Sequence, residues 1–242
     1  MRLNLPRKWL GLLIAGITFL PTAGSAGDFA ERSVLGFSPD GRYFAFEEYG
    51  VQDGSGLPYS NIFLVDTSRD EWVEGTPIRV QPENDSQSLS QIRAESRDQF
   101  GSFLTTYQIG AEGMTVVSNP LTETSANPYF VSFFPQFSVL NADGDYKLAL
   151  QEYQLPAANC PDSGQAYKGF QLTLTEPDGG ERVLSRDERI PGSRKCPLGY
   201  RLSEVITYFP ANGQPILTVV ISIFSLGFEG PDRRFIAVTG AL

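Results

Sequence analysis

Glu47 and Glu48, with Asp53 five residues further on, come nearest to a catalytic arrangement in this 242-residue chain. Glycoside hydrolysis uses two carboxyl groups roughly 5–10 Å apart, one as acid and the other as base or nucleophile. Adjacent residues on a strand point to opposite faces, so Glu47 and Glu48 share a cleft only where a bulge intervenes. One of them has a simpler fate as an ion-pair partner of Arg233 or Arg234, in a stretch that also carries Glu229 and Asp232. The preferred reading is a binding surface drawn from Glu47, Glu48, Asp53, Glu229, Asp232, Arg233 and Arg234, with no catalytic residue assigned. The alternatives are a carboxylate-dependent hydrolase of an envelope polymer, using Glu47 or Glu48 with Asp53 or Glu229, and a structural envelope protein whose acidic loops form ion pairs.

Other chemistries are poorly supplied. The chain has no histidine, which removes Ser-His-Asp and Cys-His catalysis and His-ligated zinc. Two cysteines are too few for a four-cysteine zinc or iron–sulfur site. Asn141, Asp143, Asp145 and Glu152 match the spacing of calcium-loop ligands, but Tyr146 stands where such a loop needs its tight-turn glycine. No metal and no cofactor is therefore expected. Ser225 lacks a nucleophile elbow, and a Ser–Lys arrangement would have to recruit Lys147, Lys168 or Lys195. Arg182, Arg186, Arg189, Arg194, Lys195 and Arg201 form a basic cluster that suits an anionic glycan or an acidic protein partner. Glu181, Asp187 and Glu188 are interleaved with it, as on a solvated hairpin.

Residues 1–26 read as a cleaved secretory leader: Arg2, Arg7 and Lys8, then the apolar run Trp9 to Leu20, Pro21 and the small residues Gly24-Ser25-Ala26. The run is far short of the roughly 20 apolar residues a membrane span needs. Cleavage removes three basic and no acidic residues, taking the net charge from −9 to −12. That acidity argues against nucleic acid and anionic membrane as partners. Export to the periplasm or beyond makes Cys160 and Cys196, 36 residues apart, a candidate disulfide.

The elements that must position these residues are mostly strands. Phe37-Ser38-Pro39-Asp40-Gly41 is a turn by composition, Tyr43 to Phe46 opens a strand, and Asn61 to Asp66 returns after a glycine-containing loop. Near the C-terminus, Phe209-Pro210-Ala211-Asn212-Gly213 repeats the turn and Phe235-Ile236-Ala237-Val238 the return. The same 22 residues separate Gly41 from Phe63 and Gly213 from Phe235. A middle copy runs from Asn141-Ala142-Asp143-Gly144 to Phe170–Leu174. Ile216 to Phe224 shows no alternation, which predicts a strand covered on both faces. From Ser88 the apolar positions Leu89, Ile92, Phe100, Phe103, Leu104 and Tyr107 follow a helical period. Ser88 and Gln91 can form a capping box, and Gly110 is a plausible stop.

Phe37-Ser38-Pro39-Asp40-Gly41-Arg42-Tyr43-Phe44-Ala45-Phe46 resembles the opening of a TolB-type β-propeller blade, which implies a structural rather than a catalytic turn. Nearly all of 27–242 is similar to a family of bacterial predicted secreted proteins defined by a domain of unknown function. That likeness is carried by Gly36-Phe37-Ser38, by Phe44 to Gly50, by Gln52-Asp53-Gly54-Ser55-Gly56 and by Gly227 to Phe235. It implies export, one domain over 27–242 and no activity to carry over. The expected architecture is mainly β, with antiparallel sheets built from three blade-like hairpins, as a sandwich or an irregular propeller-like array, and one helix near 88–109. The expected role is that of an exported binding module of the cell envelope.

Overall fold

The computed structural model describes residues 27–137, 144–162, 164–228 and 230–242, so the leader and Glu229 lie outside the described residues. The Ser38–Gly41 turn is closed by its own side chains. Ser38 Oγ donates to Asp40 Oδ1 at 2.6 Å and accepts from the Tyr43 amide at 2.9 Å, and Gly41 takes φ +75°. A Cβ on Gly41 would lie 3.0 Å from the Ile216 side chain, so this turn needs glycine for its dihedral and for close packing.

The turn joins β1 (Glu31–Phe37) to β2 (Tyr43–Val51), which pairs antiparallel with β3 (Pro58–Asp66); β4 (Glu71–Trp72) and β5 (Ile78–Val80) both pair with β3. The sequence pattern does not announce β1. It is a partly exposed edge strand, buried only at Gly36 and Phe37, and so carries little apolar alternation. Next comes α1 (Leu89–Thr106), followed by β6 (Met114–Ser118), β7 (Phe130–Phe133), β8 (Tyr146–Gln154), β9 (Lys168–Thr175) and β10 (Glu181–Arg186). The chain ends in three long strands, β11 (Pro197–Tyr208), β12 (Ile216–Leu226) and β13 (Pro231–Ala241). One sheet has the order β10-β9-β8-β7 and another β13-β12-β11-β6.

Side-chain parity shows how these sheets stack. Leu217, Val219, Ile221 and Ile223 of β12 pack with Leu148 and Leu150 of β8 and Phe170, Leu172 and Leu174 of β9. Val220 points the other way, into a cluster with Phe44, Phe46, Tyr59 and Phe63 of the first sheet. The β11–β13 sheet is therefore the middle layer, and the unbroken apolar run of β12 is covered on both faces as its pattern predicts. The layers form a sandwich and not a ring of blades. The first and last hairpins lie face to face with their turns together: a Cβ on Gly213 would sit 3.3 Å from the Asp40 carbonyl oxygen.

The helix covers the outer face of the first sheet. Ile92, Ser96 and Phe100 form its buried stripe, and Phe100 packs on Ala45, Ile62 and Leu64. Burial of each large apolar side chain contributes about 1.5–3 kcal/mol. The Ser88 capping box is present, with Gln91 Oε1 accepting the Ser88 amide at 2.8 Å. The helix stops before the expected Gly110. The Tyr107 amide caps on the Phe103 carbonyl, its ring packs 4.5 Å from that of Tyr43, and Gln108 takes φ +52°. Cys160 and Cys196 form a disulfide with Cα atoms 5.7 Å apart, tying the β8–β9 connection to the residue before β11.

Candidate functional site

Strand alternation sends the two glutamates to different neighbourhoods. Glu47 shares the helix-facing side of β2 with Ala45 and is completely buried. Arg93 grips it in bidentate fashion, Nε to Oε1 at 2.8 Å and Nη2 to Oε2 at 2.9 Å, and Arg97 Nη2 adds a bond of 2.7 Å. Ser60 Oγ donates to Oε1 at 3.0 Å. Burial opposes the charge, but the two guanidinium groups outweigh it and hold the carboxyl below its ordinary range. Arg93 and Arg97 stand four apart on one helix face, so both reach the same carboxylate, which offsets the repulsion of two like charges at that spacing; nothing local in the sequence ties them to Glu47.

Glu48 points to the middle sheet. Its Oε2 accepts the Phe235 amide at 2.7 Å, Oε1 accepts Asn61 Nδ2 at 3.1 Å, and Arg234 Nε lies 3.8 Å from Oε1. Burial dominates here and pushes the carboxyl up. Arg234 also pairs with Asp28, donates to the Asp28 carbonyl at 2.9 Å and lies 4.6 Å from the Tyr59 ring centroid. Tyr59 in turn donates to Asp28 Oδ1 at 2.9 Å. Since β13 is an edge strand, its outward amides need partners. Glu48 supplies one for Phe235 and Asp70 another for Thr239, at 2.7 Å. Thus Glu47 and Glu48 cannot act on one bond together, and each is committed to holding layers.

The remaining residues of the expected surface are divided. Arg233 Nη2 donates to the Ala30 carbonyl at 2.7 Å, with its guanidinium 5.2 Å from the Phe29 and Phe235 ring centroids. Asp232 accepts the Asp28 amide at 3.3 Å. Asp53 sits at the β2–β3 tip, its Oδ1 accepting the Gly54 amide at 3.0 Å and its buried Oδ2 without a hydrogen-bond partner among the described residues. The β2–β3 tip meets the connection between β12 and β13, since a Cβ on Gly54 would contact the Phe228 ring at 3.5 Å. Of the calcium-loop candidates, Asn141 and Asp143 lie outside the described residues. Asp145 accepts from Ser132, and Glu152 binds Lys168 at 2.7 Å and the Tyr200 amide at 2.5 Å. Among the described residues no group of three acidic or cysteine side chains is placed to hold a metal ion. The basic cluster is partly spent as well. Arg182 reaches the Ala241 carbonyl, Arg194 pairs with Asp187 and Arg201 binds Asn119.

A cleft of about 260 Å³ opens beside Glu48 and Arg234. Glu48, Asn61 and Arg234 lie in its wall, joined by Gln52 from the β2–β3 loop and Ser225 from the end of β12. Its other lining comes from places the sequence reading did not single out: Trp72 of β4, Arg79 of β5 and Gln81 beyond it. Lys195 faces them from the turn before the disulfide. The Trp72 side chain is 40 % exposed, with the Arg79 guanidinium 5.8 Å from its ring centroid. The available clue was that Trp72 is the only tryptophan after residue 26.

A family model for predicted secreted proteins, DUF2259, matches residues 45–241. The chain belongs to that family. No curated protein and no solved structure matches it. The family description agrees with the expectation of export. The matched span contains the two glutamates, Trp72, Arg79, the disulfide and β13, and leaves outside it Asp28, which pairs with Arg234. No helix among the described residues is long and apolar enough to cross a membrane.

Proposed function

We propose that this member of the family is an exported binding module, delivered to the periplasm or beyond by a cleaved leader, whose recognition site is the cleft at Trp72. The observation that carries the reading is the division of labour at that site. Glu48 and Arg234 are engaged by Phe235, Asn61 and Asp28, while the lip presents the Trp72 indole, the Arg79 guanidinium and the paired amides of Gln52 and Gln81. A half-exposed indole beside planar hydrogen-bonding groups suits a polar ring such as a saccharide, and the cleft volume suits a ligand of one or two rings.

Glycan-array binding of residues 27–242 tests this reading. Trp72 is their only tryptophan, so ligand-induced change in its emission reports from the cleft itself. Trp72→Ala is expected to abolish binding and Glu47→Gln to leave it intact. Retention of wild-type binding by Trp72→Ala would refute the assignment.

A further inference from the structure

Across the whole chain carboxylates outnumber cations, 28 against 19. The cleft reverses that balance. Its lining holds Arg79, Arg194, Lys195 and Arg234, with Glu48 as the sole carboxylate. Two of these cations are already neutralised, Arg194 by Asp187 and Arg234 by Asp28. Arg79 and Lys195 form no ion pair with any described carboxylate, and Arg79 spends its guanidinium face on Trp72. Glu48 is turned to the Phe235 amide and Asn61, away from a neutralising role at the lip.

From this juxtaposition we infer that the ligand is an acidic saccharide, its sugar ring on Trp72 and its anionic group received by Arg79 and Lys195. This rests on the cleft being the recognition site. Guanidinium offers a planar fork to a carboxylate and ammonium a compact charge, so the pair accepts an anion without requiring one orientation. Lys195 adjoins the disulfide at Cys196 and takes φ +54°, so the cross-link fixes the backbone that carries the ammonium group. Walls of low dielectric concentrate the field of such cations, which favours an anion even in a chain of net negative charge.

Titration of residues 27–242 with trigalacturonate and with its fully methyl-esterified counterpart, followed by Trp72 emission and by calorimetry, tests the inference. The acid is expected to bind about tenfold more tightly than the ester, and its affinity to fall as salt is raised. Arg79→Gln and Lys195→Gln should each weaken acid binding about two- to fivefold without shifting the thermal midpoint, and Arg79→Lys should restore part of the loss. Equal binding of acid and ester would overturn the anionic assignment while leaving the cleft in place as a saccharide site. Undiminished acid binding by the double Gln variant would overturn it too. If neither oligomer binds, this inference falls, and the glycan array with Trp72→Ala still decides the cleft separately.

Discussion

Glu47→Gln removes the charge on which α1 and the first sheet converge. Charge-assisted hydrogen bonds contribute about 1.5–3 kcal/mol each when counted singly. That sum overstates the loss, because the Arg93 and Arg97 side chains are 27 % and 47 % exposed and rehydrate when released. The variant also no longer has to desolvate a carboxylate. Breaking a fully buried pair costs about 3–5 kcal/mol, so a net loss of about 2–3 kcal/mol is expected after this discount. For a domain of this size the thermal midpoint should fall by about 4–12 °C. The pH dependence has a fixed sign. The folded-state pKa of Glu47 lies below its ordinary 4.5, so its contribution is complete above about pH 4.5 and is lost as pH falls through the lowered value. The stability gap between wild type and variant should therefore close towards acid. Glu48→Gln is the contrast. Burial raises that carboxyl, a glutamine oxygen can still accept the Phe235 amide, and only the Asn61 bond to the other oxygen is given up, so the change should be about 1 kcal/mol at neutral pH. Denaturant unfolding of both variants between pH 3 and 8, with an Arg93→Ala double-mutant cycle, measures all of this. A Glu47→Gln loss below about 0.5 kcal/mol, a gap that persists unchanged at low pH, or additivity with Arg93→Ala would refute the reasoning.

Three further outcomes follow from particular contacts. Replacing Cys160 and Cys196 together by serine should cost about 3–4 kcal/mol, because the bridge closes a 36-residue loop; midpoints with and without reductant check this. Gly36→Ala should cost about 2 kcal/mol or more, since Gly36 has φ +117° and its Cβ would lie 2.8 Å from the Ala111 carbonyl oxygen; equilibrium unfolding measures it. Ser88→Ala deletes the helix cap and should cost about 1 kcal/mol, with hydrogen exchange rising first in the opening turn of α1.

The turns before β2 and before β12, the capped helix and the doubly covered β12 were legible because each is written in local chemistry. Pro-Asp-Gly and Ala-Asn-Gly set dihedrals, Ser88 and Gln91 satisfy the first helical amides, and Ile216 to Phe224 lacks the polar alternation of a solvated face. The disulfide was legible from export and cysteine count. Elements that are stable only through their neighbours escaped notice. β1 is half exposed, and β4 and β5 are two and three residues long, held by pairing to β3. The opposite facing of Glu47 and Glu48 followed from strand geometry alone, but their partners did not. Arg93 lies 46 residues beyond Glu47, and the Phe235 amide 187 residues beyond Glu48.

The sequence by itself determined the β class, the hairpin units and the candidate for a cross-link, since dihedral preference, capping and hydrophobic period act over a few residues. Only the tertiary structure decided that the hairpins stack as layers, that Glu48 serves an edge-strand amide, and that Trp72, Arg79 and Lys195 line one cleft. Those outcomes depend on which faces meet across more than a hundred residues of chain. Burial and charge pairing between layers choose among stackings that local preference leaves equal.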